Sequence, residues 1–134
     1  MKLVRRHEVP LRPLPGRALQ MIVGQKDAAS ASDLMTMGFA YYAADYGPMS
    51  PHRHAEEIVF VLESDRGYVR YGGFGAEANE LGERVPLEPN MILHFPANEW
   101  HAFEYEEGGH ITIAYFYPSA SVYSAAFSSQ GTGR

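Results

Sequence analysis

His52 and His54 stand one residue apart, and Glu57 follows three residues after the second, at the mouth of the apolar run Ile58-Val59-Phe60-Val61-Leu62. In extended backbone, side chains alternate faces with period two, so both imidazoles point the same way and converge on one point. Two imidazoles and a nearby carboxylate form a mixed nitrogen and oxygen set that a divalent first-row metal accepts. A fourth ligand has to come from elsewhere in the chain. The best placed is His101, in Phe95-Pro96-Ala97-Asn98-Glu99-Trp100-His101, where a strand, a proline turn and a second strand start would carry a third imidazole to the same centre. Neutral imidazole and carboxylate favour Mn, Fe, Co, Ni or Zn over Ca or Mg, and the absence of cysteine removes one reason to prefer structural zinc. Four protein ligands on an octahedral ion leave two positions open, for a water and one substrate atom or for a chelating substrate.

The pattern His52-x-His54-x-x-Glu57, then Val61-Leu62, then Pro96-x-Asn98-x-x-His101, resembles the two motifs of the cupin superfamily. The resemblance covers residues 16 to 118. It implies an all-β fold, the antiparallel double-stranded β-helix or RmlC-like jelly-roll barrel, with one divalent metal held inside on three histidines and a glutamate. Glu57, four residues before Val61, matches the family's glutamate better than Glu56, which stays as the alternative. Three positions where the family usually has glycine differ here: Ser64, Asn90 and Asn98. Asn tolerates left-handed backbone better than other non-glycine residues. Ser64 does not, and Gly67 is expected to take over that turn.

The resemblance implies a metal-dependent enzyme acting on a small oxygenated metabolite, a sugar or a keto or hydroxy acid. Isomerisation, elimination or decarboxylation would be assisted by the metal as Lewis acid. The proton would be moved by Tyr41 or Tyr42, which point to opposite sides of one strand, or by His94 or Glu99. An Fe(II)-dependent dioxygenase is the alternative reaction, and a non-catalytic metal or sugar-binding protein the alternative class. A cavity lined only by apolar side chains would favour binding or oxygenation over proton transfer. His7 and His110 read as surface, Arg53 as projecting away from the ligands that flank it, and Trp100 as a rim or interface ring.

The elements that must hold these residues are short strands. Residues 17 to 23 read as one. In 34 to 46, Met35, Met37, Phe39 and Tyr41 alternate with Thr36, Gly38 and Ala40, a strand with one bulky and one small face. Residues 57 to 62 read as a buried strand, with 67 to 71 as its partner after a turn, and 81 to 87, 91 to 95, 100 to 105 and 111 to 117 complete about eight. Glycine, proline and asparagine punctuate them, as in an antiparallel barrel or sandwich. A helix capped by Ser32 or Asp33 is too short to matter, and the glycine-rich stretch from Gly72 lacks the strand-then-helix setting of a phosphate loop.

At 134 residues, 46% apolar and 20% charged, the chain is expected to form one domain. Residues 1 to 16 form an extended arm interrupted by Pro10, Pro13 and Pro15, residues 17 to 118 the barrel, and 119 to 134 a Ser-, Ala- and Gly-rich tail. A formal charge of −5 argues against nucleic acid as a partner. The basic residues Lys2, Arg5, Arg6, Arg12 and Arg17 are expected to be solvated or to pack on a second subunit. No run approaches the roughly 20 apolar residues of a membrane span, and no apolar segment follows Met1 as in a secretory leader. The expected protein is cytoplasmic, with a small-molecule ligand in the barrel, and homodimeric through the arm and the aromatic strand faces.

Overall fold

The computed structural model describes residues 1–119, so the expected tail lies, past Ser119, outside the described residues. Eight strands follow in chain order: β1 (Arg12–Leu14), β2 (Arg17–Gly24), β3 (Ser30–Ala31), β4 (Thr36–Ala43), β5 (Glu57–Tyr71), β6 (Val85–Pro86), β7 (Ile92–Phe95) and β8 (His101–Tyr117). They hydrogen-bond in the order β1-β2-β4-β8-β5-β6, with β3 on β2 and β7 on β5. All pairings are antiparallel except the two-residue contact of β2 with β3. The fold is an all-β jelly roll. Among the described residues no helix is long and apolar enough to cross a membrane.

The spine of the fold is the ladder of β5 on β8, which runs from Ile58 opposite Phe116 to Tyr71 opposite His101. Laid flat, a 17-residue strand would measure about 55 Å. Yet His101 and Tyr117, at its two ends, both set their rings against His54, with centroids 5.0 and 4.8 Å away. The ribbon is therefore rolled over on itself. The roll is made at register shifts between Val61 and Glu63 and between Asp65 and Gly67, where a bulge bends and twists the strand without ending it. Arg66 takes φ 54° and Gly108 φ 79° at this bend. Two glycines let the strands cross closely: a Cβ on Gly67 would collide with Ile111, and one on Gly109 with the Asp65 carbonyl.

This corrects one expectation. Residues 57–62 and 67–71 do not pair with each other but are one strand, and both pair with β8. The segment between them bends without reversing, held where Ser64 Oγ accepts the Gly67 N–H at 3.2 Å. Likewise 100–105 and 111–117 belong to one continuous strand. The left-handed residue at the bend is Arg66, neither Ser64 nor Gly67, whereas Asn90 and Asn98 do adopt positive φ, 77° and 69°.

β4 alternates without a break, one face buried and one partly covered. Thr36, Gly38, Ala40 and Tyr42 face inward. Gly38 lies opposite Tyr115, and a Cβ there would strike the Tyr115 hydroxyl and the Gln20 carbonyl oxygen. Leu19, Val59, Val61, Val69, Phe103, Ile111 and Ile113 fill the interior and are at most 5% exposed. At about 1.5–3 kcal/mol for each such side chain, their burial is the main force closing the roll. The N-terminal arm lies on the outer face of β2 and β4 of its own chain. Arg6 sits 4.2 Å from the Phe39 ring centroid and donates to the Tyr41 hydroxyl at 2.7 Å. The Gln20 amide donates to the carbonyls of Arg6 and Val9 at 2.9 and 3.0 Å.

Candidate metal centre

The two histidine-bearing segments are tied by their backbones. His52 N–H donates to His101 O and His101 N–H to His52 O, each at 2.9 Å, an isolated antiparallel bridge that sets the third imidazole beside the first. The His54 carbonyl accepts the Asn98 N–H at 2.8 Å, so the left-handed turn at Asn98 anchors the second. Phe95 stacks on the His101 ring at 4.1 Å and fixes its plane. Glu57 opens β5 opposite Phe95.

A carbonyl oxygen only accepts, so a ring nitrogen against one must carry the proton. His54 Nδ1 lies 2.9 Å from Ala55 O and His101 Nδ1 2.9 Å from Glu99 O, while His52 Nδ1 is 3.4 Å from Ser50 O. Each ring is thus held with Nε2 as the lone-pair nitrogen, the orientation that metal-ligating histidines take from such outer partners. One ligand atom from each of the three lies within 4.8 Å of the others. Donors around an ion at about 2.1 Å would be roughly 3–4.2 Å apart, so a small contraction would close the set.

Glu57 Oε1 lies 3.5 Å from both His54 Nε2 and His101 Nε2. Glu57 Oε1 and His101 Nε2 are buried, and neither makes a hydrogen bond. Leaving such atoms unsatisfied costs about 1–3 kcal/mol each, and a cation shared between them removes that cost. The cluster therefore fits a divalent metal ion. Burial pushes the His52 and His54 imidazoles down, His52 well down, helped there by the charges of His101, His54 and Arg17. Burial alone would push the Glu57 carboxyl up, but the close approach of His101 and His54, with the Tyr117 hydroxyl, leaves it below the usual value. Neutral imidazoles around a carboxylate are the protonation states a metal needs.

A cavity of about 20 Å³, room for a single water, opens beside these ligands. Tyr42, Tyr115 and Tyr117 line it, as does Arg17 from β2. Tyr117 Oη lies 3.2 Å from His54 Nε2. Burial raises Tyr42 and Tyr117, and the Glu57 charge adds to both, so both stay phenols. Sequence reasoning missed Arg17, Tyr115 and Tyr117. Strand parity could have found them, since Arg17 alternates with the inward Leu19, and Tyr115 and Tyr117 with the inward Ile111 and Ile113.

Of the residues expected at the centre, the structure brings together His52, His54, Glu57, His101 and Tyr42. Tyr41, His94 and Glu99 are elsewhere. Tyr41 is on the outer face of β4, bonded to Arg6 and Gln20. His94 is exposed and pairs with Glu56 at 2.6 Å, because residue parity turns Glu56 outward as it turns Glu57 inward. The Glu99 side chain lines a surface hollow with His94 and Ile92, and Glu99 reaches the centre only through its carbonyl on His101. Arg53 does project away, with its guanidinium 4.7 Å from the Trp100 ring centroid and bonded to the carbonyls of Phe74 and Gly75.

No protein-family model matches the chain, and no curated protein matches it. Solved structures do. A protein from Planctomyces limnophilus aligns with a TM-score of 0.65 at 15% identity, over 89% of this chain and 90% of that one. The polyketide cyclase RemF from Streptomyces resistomycificus aligns at 0.61 and 21%, over 88% and 79%. Hydroxypropylphosphonic acid epoxidase from S. wedmorenis, also solved as an FeII form, aligns at 0.61 and 15%, over 87% of this chain and 59% of that one. At these identities the likeness is one of fold, and that fold is the jelly roll of cupin-type proteins.

Proposed function

We propose that this cupin-fold chain is a metal-dependent enzyme whose ion is held by His52, His54, Glu57 and His101, and which acts on a small oxygenated metabolite. The observation that carries this reading is the buried, unbonded pair Glu57 Oε1 and His101 Nε2 at the focus of three oriented imidazoles. A bound divalent ion would supply Lewis-acid polarisation of a substrate oxygen. Mn, Fe, Co, Ni and Zn all suit the donor set.

The protonic groups of the lining select among reactions. Beyond the ligand cluster, the described residues lining the cavity include no carboxylate or imidazole, only phenols held neutral by burial and the cationic Arg17. Isomerisation and elimination need a base to take a proton from carbon. Decarboxylation does not: a C–C bond breaks, CO₂ leaves, and the remaining electron pair needs a sink and then a proton. Tyr42, which lines the cavity, would return that proton, while Tyr117 would steady His54 and Glu57. Substrate would arrive through an open cleft of about 430 Å³ that shares the Phe103 side chain with the inner cavity.

The test is metal-loaded protein given small keto and hydroxy acids, with CO₂ release and solvent-deuterium incorporation as readouts. Tyr42→Phe should lower turnover about 10²-fold or more with metal content unchanged. Full activity in that variant would reject Tyr42, and no turnover with any of the five metals would leave a binding protein. A second reading, an iron(II) dioxygenase, is favoured by the apolar share of the lining, Leu19, Ala40, Phe103 and Ile113, and by the likeness to the FeII epoxidase. Oxygen uptake by the iron form with substrate would decide for it.

The reading includes a homodimer. Ile58, Ile92 and Phe116, 40–59% exposed, share the outer face of the ribbon, with Phe116 opposite Ile58. A second copy laid on this face would cover them. Sedimentation at micromolar concentration should show a dimer that Ile58→Glu dissociates, and a wild-type monomer would refute it.

A further inference from the structure

We propose that Arg17 receives an anionic group of the ligand, so that the centre is built for small carboxylate-bearing molecules and not for neutral sugars. This rests on the metal reading above. Arg17 opens β2 and shares the inward face with Leu19, and both side chains line the metal cavity. It is the one cationic side chain among the described lining residues. Among the described residues its one hydrogen bond is long, 3.4 Å to Pro15 O, while a guanidinium carries five N–H donors in a planar fork.

The charges around the centre do not balance without a ligand. Three neutral imidazoles and one carboxylate around a divalent ion leave one positive charge, and Arg17 adds a second beside it. Glu57, the only carboxylate in the lining, is already engaged with those imidazoles. Two positive charges facing a poorly hydrated cavity call for an anion, and a carboxylate matches the arginine fork with two parallel hydrogen bonds. The larger cleft reaches the same end of the barrel. Its walls include Pro48 and Met49, against which the Gly16 backbone packs so closely that a Cβ would sit 3.2 Å from Met49 Cα.

The experiment uses the full chain loaded with Co(II), whose visible spectrum reports direct ligation. Azide, a triatomic monoanion of about carboxylate length, and imidazole, a neutral ligand, are titrated into wild type, Arg17→Gln and Arg17→Lys. Arg17→Gln should weaken azide about tenfold or more and leave imidazole unchanged, with Arg17→Lys recovering much of the loss. Unchanged azide affinity in Arg17→Gln would overturn the proposal. So would equal weakening of azide and imidazole, because Arg17 would then only prop the cavity. Wild type that binds no cobalt refutes the metal centre itself and this proposal with it, a failure seen before any azide is added.

Discussion

Glu56 and Glu57 are adjacent, each faces a histidine, and the two pairs have opposite characters. Glu56 meets His94 at 2.6 Å with both side chains more than half exposed. Glu57 meets His54 and His101 at 3.5 Å with all three about 5% exposed or less. By distance alone the outer pair is the better ion pair. It is nevertheless the one that water screens, and exposed pairs of this kind contribute at most about 1 kcal/mol. The inner group has the longer spacing because its atoms face a common centre and not one another. A close contact marks a finished interaction; a buried gap between good donors marks a place for something else.

Removing one histidine from each group should give the largest difference. His101→Ala or His52→Ala should drop metal content from about one ion per chain to under a tenth, with the far-ultraviolet dichroism of the barrel retained, while His94→Ala should bind metal like wild type. Full occupancy in either inner variant would erase the distinction. Next in size is the packing that gives the inner face its shape. Gly38→Ala puts a methyl against Tyr115 and the β2 backbone and should cost about 1–3 kcal/mol in urea denaturation. Gly47→Ala, where an added methyl has nothing within 4 Å, meets no such wall and costs only what its φ of 82° imposes.

Acid separates the two groups on a finer scale. His52 and His54 have folded-state pKa values below the ordinary one because burial disfavours their charged forms. The unfolded chain therefore binds protons first, and stability falls as pH drops below about 6.5, with a limiting slope of about 1.4 kcal/mol per pH unit for each such histidine. Glu57, depressed in the fold, adds a loss in the same direction at lower pH. Melting of the metal-free protein between pH 8 and 5 should show this fall, and metal content should fall with it. His94→Gln should leave the slope intact. A melting temperature flat across that range would contradict the buried, neutral assignment. The smallest expected effect is on the outer pair itself: Glu56→Gln should change stability by under about 1 kcal/mol.

How much of this could be read from the chain depended on which physical signal was in play. The cluster was legible because parity acts locally: His52 and His54 share a face, and Glu57 turns in as Glu56 turns out. Tyr42 was legible only as half of an alternative, since adjacent tyrosines must diverge but the sequence does not say which side is inside. Tyr41 was the outward half of that alternative, and His94 and Glu99 misled because closeness in sequence to His101 is not closeness to the cluster. His94 sits on the strand face opposite Phe95, the residue that stacks on His101. Arg17 was hidden by composition. Grouped with the basic residues of the arm, it looked like surface, although its alternation with Leu19 already placed it inside. The pairing of 57–62 with 67–71 failed because a bulge and a turn use the same residues, Ser, Asp, Arg and Gly, and only the partner strand decides between them.

The rolled ribbon would give a bound ion a mechanical part beyond chemistry. Both free ends of the β5–β8 ladder finish at His54, so a cation there would work as the clasp on a bracelet whose hinge is at Gly67 and Gly109. Stiffening or springing that hinge, midway along the ladder and away from the histidines, would part the ends and loosen the ion. Metal affinity in this protein should thus report how tightly the band is curled.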